Sequence, residues 1–75
     1  MSTPQINSVN ARLLAAWKAH DLEAGKAAVR EIGNLAKGPF QQATLEANEK
    51  ELLKSIAAKE QHSLSAFLKD AGYPH

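Results

Sequence analysis

In the stretch Trp17-Lys18-Ala19-His20-Asp21-Leu22-Glu23-Ala24-Gly25, one amphipathic pattern stops and another begins with almost nothing between them. Leu22 resumes the apolar pattern directly after Asp21, a residue type that caps helix starts. Helices joined by so short a connection fold back on each other as an antiparallel pair. This junction therefore predicts an N-terminal αα-hairpin, on which the rest of the chain must pack.

The first arm of the hairpin starts at Thr3-Pro4, where a hydroxyl caps free amides and proline occupies the first turn. Ile6, Val9, Leu13 and Trp17 then recur at three- and four-residue steps, and Leu14 widens the stripe. The second arm carries Leu22, Ala24 or Gly25, Ala28, Val29, Ile32, and Leu35 or Ala36. Its small residues allow two helix backbones to approach closely. Glu23 at its start and Lys37 at its end suit the helix dipole. Gly38-Pro39 ends it, with glycine as a left-handed cap and proline blocking continuation.

Beyond Phe40 the periodicity remains helical but has one weak point. Leu45, Leu52, Leu53 and Ile56 form one apolar run, and Leu64, Phe67, Leu68 and Ala71 form another. Between them lies Lys59-Glu60-Gln61-His62, with no large apolar residue. A single helix of about thirty residues would span roughly 45 Å, against about 25 Å for each arm of the hairpin. It would overhang them and expose Leu64, Phe67 and Leu68. A break near His62-Ser63, with Ser63 as a cap, lets a short fourth helix fold back, and this is the reading preferred here. The expected helices are then 4–20, 22–37, 40–61 and 63–71, with Gly72 and Pro74 ending the chain in a short tail.

Composition agrees with an all-α, single-domain chain at 1–75. Alanine and leucine dominate, β-branched residues are few, and no segment alternates with period two. The expected architecture is a small antiparallel three- or four-helix bundle built on the N-terminal hairpin. With 75 residues and no cysteine to staple it, a monomer would hold by about 5 kcal/mol or less. A net charge of +1, with the signs interspersed, sets up no strong field for nucleic acid or an anionic membrane. The opening residues lack a signal-peptide pattern, and no apolar run approaches the roughly 20 residues a membrane span needs. The expectation is a soluble, cytoplasmic protein.

Reactive constellations are scarce. His20, His62 and His75 show no metal-ligand spacing, and no cysteine lies near them, so neither a metal nor another cofactor is expected. No serine sits in a nucleophile setting, and the glycines are too scattered to cradle a phosphate. Glu46, Glu49 and Glu51 read as a solvated face, with Glu46–Lys50 and Glu51–Lys54 as ion pairs along the helix. The chain is expected not to be an enzyme. Trp17 reads as a core anchor, and Phe40 as pinning the second turn against the hairpin.

Two resemblances touch the junction. The segment from His20 to Gly25 resembles the phosphorylatable segment of histidine phosphotransfer domains at His20 and Leu22. It departs from that pattern at Glu23, where the family carries lysine, and at Gly25, which comes one residue late. The resemblance implies phosphotransfer through His20; the residues read alone imply a structural histidine at a helix C-terminus. Leu13 to Ile32 also resembles the helix pair of a tetratricopeptide-type repeat, which implies an αα-hairpin but supplies only one unit.

The function expected from these readings is a small protein–protein interaction module, of adaptor, chaperone-like or inhibitor type. It would hold a partner helix or a second copy on an apolar helical face. The residues assigned to that face are Leu64, Phe67 and Leu68, or Ala28 and Ile32 on the alanine-rich second helix. The alternative is a small helical DNA-binding regulator using Lys26 and Arg30, with Gln41 and Gln42 placed to read adenine edges.

Overall fold

A computed structural model of the chain describes residues 4–74. Four α-helices follow one another with no strand among the described residues: α1 (Pro4–Lys18), α2 (Leu22–Leu35), α3 (Gln41–Lys54) and α4 (Gln61–Asp70). The expected all-α bundle on an N-terminal hairpin is the observed fold. The proposed Thr3 cap and His75 lie outside the described residues.

The α1–α2 junction is closed by two motifs that share a residue. At the end of α1, the His20 amide donates to the Trp17 carbonyl at 3.1 Å and the Asp21 amide donates to the Ala16 carbonyl at 2.9 Å. These two bonds form a Schellman cap, which requires a left-handed residue at its turn. His20 supplies it, with φ of 56°. Asp21 then serves as the N-cap of α2, its Oδ1 accepting from the Ala24 amide at 3.1 Å. Only Ala19, His20 and Asp21 separate the helices, so α1 and α2 run back along each other, their flanks tied by Arg12–Glu31 at 2.7 Å.

The chain between α2 and α3 differs from expectation in detail. α2 ends at Leu35, capped by Ala36, before Gly38 is reached. Gly38, at φ of 123°, instead turns the backbone into α3, and its carbonyl accepts from the Gln41 amide at 3.1 Å.

The third apolar segment breaks, as the shorter reading required, and the longest dimension of the molecule is 32 Å. The break falls earlier than His62-Ser63. α3 stops at Lys54, Ala57 is extended, and a 3₁₀ turn at Ala58–Glu60 leads into α4 at Gln61. The reason lies in the carbonyls orphaned at the end of α3. The Ser55 hydroxyl donates to the Leu52 carbonyl at 2.6 Å, and the Gln61 side-chain amide donates to the Leu53 carbonyl at 2.8 Å. Ser63 is not the cap. It lies inside α4, where its Oγ accepts from Trp17 Nε1 at 3.2 Å and ties α4 to α1.

The core gathers one stripe from each helix. Val9, Leu13 and Trp17 face Ala28, Val29 and Ile32, with Leu45 and Leu52 from α3 and Leu64 and Leu68 from α4. As far as Tyr73, the chain past α4 folds back on the bundle rather than leaving it as the expected short tail. Gly72, at φ of 86°, makes a second Schellman cap, its amide donating to Lys69 and that of Tyr73 to Leu68. This turn buries Tyr73 in the core. There its hydroxyl donates to the Leu45 carbonyl at 2.7 Å and accepts from Asn48 Nδ2 at 3.3 Å. Asn48, buried on α3, also exchanges two amide hydrogen bonds with Asn10 of α1, at 2.8 and 3.1 Å. Burial and the Glu49 charge raise the Tyr73 phenol above its ordinary value of 10.0, partly offset by its bond to Asn48.

Two glycines of α2 separate packing from propensity. A Cβ on Gly33 would meet nothing within 4 Å, whereas one on Gly25 would lie 2.6 Å from the Phe67 ring. Gly33→Ala is expected to stabilise the protein by about 0.5–1 kcal/mol. Gly25→Ala gains the same helical preference but crowds the ring, an overpacking that costs about 1–3 kcal/mol. Urea unfolding of the two variants should therefore give shifts of opposite sign. A stabilised Gly25→Ala would mean that Phe67 does not depend on the missing methyl.

Candidate interaction surface

The residues assigned from sequence to a docking face belong to the core. Leu64 and Leu68 have no exposed surface, and Ala28 and Ile32 are buried between α2 and its neighbours. The physical reason is the break at Ser55–Ala57, which folds α4 back and removes the overhang that would have exposed Leu64, Phe67 and Leu68. Phe67 is half-buried, its ring lying across α2 at Gly25. None of the five offers a free apolar face in the folded chain.

The exposed apolar surface lies elsewhere. Phe40 is 76% exposed, the most exposed of the large hydrophobic residues described. It does not pin the turn as expected. It occupies the N-cap position of α3, where it makes no side-chain capping bond. Serine, threonine, aspartate or asparagine usually stands at such a position. Pro39 precedes it and restricts the local backbone. Leu35, 41% exposed, ends α2 five residues earlier. On its α1 side opens a cleft of about 610 Å³, lined by Pro4, Gln5 and Ser8 together with Glu31, Asn34 and Leu35.

A second, smaller trough of about 400 Å³ follows the outer seam of the hairpin. Ala15, Ala16, Ala19, Ala24, Ala27 and Ala28 line it, between Arg12 and Asp21. The alanine richness of α2 thus works on both sides. Ala28 packs inward toward α1, and Ala24 and Ala27 leave the outer seam smooth. Hydrogen bonding to Arg12, with its charge assisting against burial, holds the Glu31 carboxyl below the usual carboxylate value and raises the guanidinium.

The basic and amide residues of the DNA-binding alternative are dispersed in their bonding. Lys26 pairs with Glu23 on its own helix at 3.5 Å, and Arg30 is exposed on α2. The Gln41 side-chain amide donates to the Gly33 carbonyl at 3.1 Å, tying α3 to α2, and the Gln42 side-chain amide donates to Glu46 at 3.2 Å. Glu46 is therefore not paired with Lys50, and Glu51 and Lys54 likewise form no ion pair among the described residues.

Asn48, which the sequence reading passed over, lies at three- and four-residue steps from Leu45 and Leu52, on the buried stripe of α3. That spacing was the available signal. For Tyr73 the signal was the preceding Gly72, since the residue after a left-handed glycine cap often packs back on its helix.

Comparison with protein-family models, curated proteins and solved structures finds no match to this chain. Among the described residues, no three His, Asp or Glu side chains come together to hold a metal. No described helix is long and apolar enough to cross a membrane.

His20 borders an open cleft of about 250 Å³ with Trp17, Lys18, Glu60 and Ser63. Its backbone role is defined by the left-handed turn between α1 and α2, a conformation that glycine adopts more readily than any residue with a side chain. His20→Gly is therefore expected to stabilise the fold by about 0.5–1 kcal/mol, measured by thermal unfolding at neutral pH. A loss of stability would show that the imidazole makes contacts that outweigh the backbone strain.

Proposed function

We propose that this protein is a non-enzymatic protein–protein interaction module whose anchor is Phe40. The observation that carries the reading is the position of that residue. A phenylalanine at a helix N-cap forgoes a capping bond and leaves most of an aromatic ring in water, with no return to the monomer. Local choices that disagree with stability cluster where a protein does its work. An aromatic held on a constrained turn is also an efficient anchor, since it brings large apolar area with few rotamers to freeze. Leu35 and the cleft beside it supply further apolar surface at the end of α2.

The partner in this reading is a helix of another protein or a second copy of the chain, engaged from outside the bundle. It does not enter the core, where Leu64, Leu68, Ala28 and Ile32 are already packed. The absence of a catalytic role is part of the proposal. It draws support from the Ser63 hydroxyl, which is bonded to Trp17, and from the openness of the cleft that His20 borders. The cytoplasm is the proposed setting, with which a chain free of cysteine is compatible.

The test separates anchoring from packing. Phe40→Ser should leave stability unchanged or raise it by up to about 1–2 kcal/mol, since serine can cap α3, whereas a buried phenylalanine cut to a small residue loses about 3–5 kcal/mol. A photoreactive phenylalanine analogue at position 40, expressed in cells, should cross-link to a partner or a second copy. The same probe at exposed Lys59 serves as the control. Cross-linking several-fold above the control is the expected result. Equal yields at the two positions, or a strongly destabilised Phe40→Ser, would overturn the reading.

A further inference from the structure

We infer that α3 is a separately opening unit, held on the bundle by the Tyr73–Asn48 catch, which detaches from α1, α2 and α4 before the chain unfolds as a whole. The inference goes beyond the proposed function and does not depend on it.

The other three helices also bind one another directly, within the core that α3 shares. α1 and α2 lie along each other from their shared cap at His20-Asp21 to Arg12–Glu31. α4 joins α2 where the Phe67 ring lies on Gly25, and joins α1 through Trp17 and Ser63. Its fully buried Leu64 and Leu68 lie in the core with Leu13 and Ile32 of the hairpin, where Leu45 and Leu52 of α3 join them.

α3 is attached differently. Of its fourteen residues only Leu45, Asn48 and Leu52 are buried, and one of those three is polar. A cleft of about 250 Å³ runs between α3 and α1, with Asn7, Asn10 and Leu14 on one wall and Glu51, Leu52 and Ser55 on the other. The helix begins without a side-chain cap, and non-helical segments at Ala36–Phe40 and Ser55–Ala57 bound it on both sides. Its apolar share is the two buried leucines and half-buried Leu53, and polar bonds add to it: Gln41 to Gly33, Gln61 to Leu53, and above all the buried set at Asn48. The Tyr73 hydroxyl bonds two α3 residues at once, the Leu45 carbonyl and the Asn48 amide. Segments with few buried apolar contacts open at lower free energy than the core, and open cooperatively. Movement of α3 would uncover the side of α1 that carries Ile6 and Leu14, next to which Thr44, Asn48, Glu51 and Leu52 now lie.

Native-state hydrogen exchange, read amide by amide by NMR, tests this with two variants that act on different states. In the wild-type protein, α3 amides should share one opening and exchange at least about tenfold faster than the slowest amides of α1 and α2. Tyr73→Phe removes the catch from the closed state alone, so it should speed α3 and α1–α2 exchange by the same factor, about five- to tenfold. Ala28→Gly weakens the α1–α2 seam, which is intact whether α3 is closed or open. It should speed α1–α2 exchange by about fivefold and leave α3 exchange unchanged. Equal protection of α3 and the hairpin in the wild type would overturn the inference. So would acceleration of α3 by Ala28→Gly, or a Tyr73→Phe effect that spares α3. If Tyr73→Phe does not fold, the wild-type ranking and Ala28→Gly decide the matter.

Discussion

One buried phenol closes this bundle. The hairpin and α4 can satisfy each other with apolar stripes, but α3 brings a stripe interrupted by Asn48. A buried carboxamide without partners would cost about 1–3 kcal/mol, a large share of what so small a domain holds. Asn10 from α1 and Tyr73 from the C-terminal turn supply those partners. The hydroxyl also satisfies the Leu45 carbonyl. Three distant parts of the chain are thus brought to one polar point inside an otherwise apolar core. A satisfied polar set of this kind also fixes register, since sliding α3 by one residue would break its bonds together.

That arrangement divides the molecule into a firmly packed part and a latched part. The firm part is local in sequence at its heart: two helices share a cap, so their pairing follows from the junction itself. The latched part depends on residue 73 reaching back to residues 45 and 48. Phe40 stands at the head of the latched helix, which places the most exposed aromatic and the least secured helix in the same segment. Under the proposed function, a partner that grips Phe40 would act directly on this helix.

How much of this could be read from the residues follows from the range of the forces involved. The hairpin was legible because Asp21 and the spacing of Leu13, Trp17, Leu22, Val29 and Ile32 act within a turn or two. The existence of a break before α4 was legible from the polar gap. Its place was not, because it depends on Ser55 and Gln61 capping carbonyls at the end of α3, and the Gln61 bond spans eight residues. Phe40 was misread as a packing residue, since an apolar side chain beside proline gives no local sign of pointing outward. Leu64 and Leu68 could be assigned to surface or core only once the break was settled. For Asn48 and Tyr73 the local signals mark burial or folding back, and do not show that the two side chains meet. Their meaning comes from a contact across 25 residues.

The most direct measurement is the ionisation of Tyr73, the single tyrosine of the chain. In the fold, burial first and the Glu49 charge raise the phenol above 10.0, against the opposing bond from Asn48. A raised folded value means that the neutral phenol is the form the fold favours. Its contribution is whole below the unfolded pKa of about 10 and is lost as pH rises through the folded value. Tyrosinate absorbance followed together with helical ellipticity during an alkaline titration should show ionisation displaced above 10.0 and accompanied by loss of helix. Ionisation at the ordinary value with the helices undisturbed would mean that the phenol is in water and that the catch on α3 does not exist.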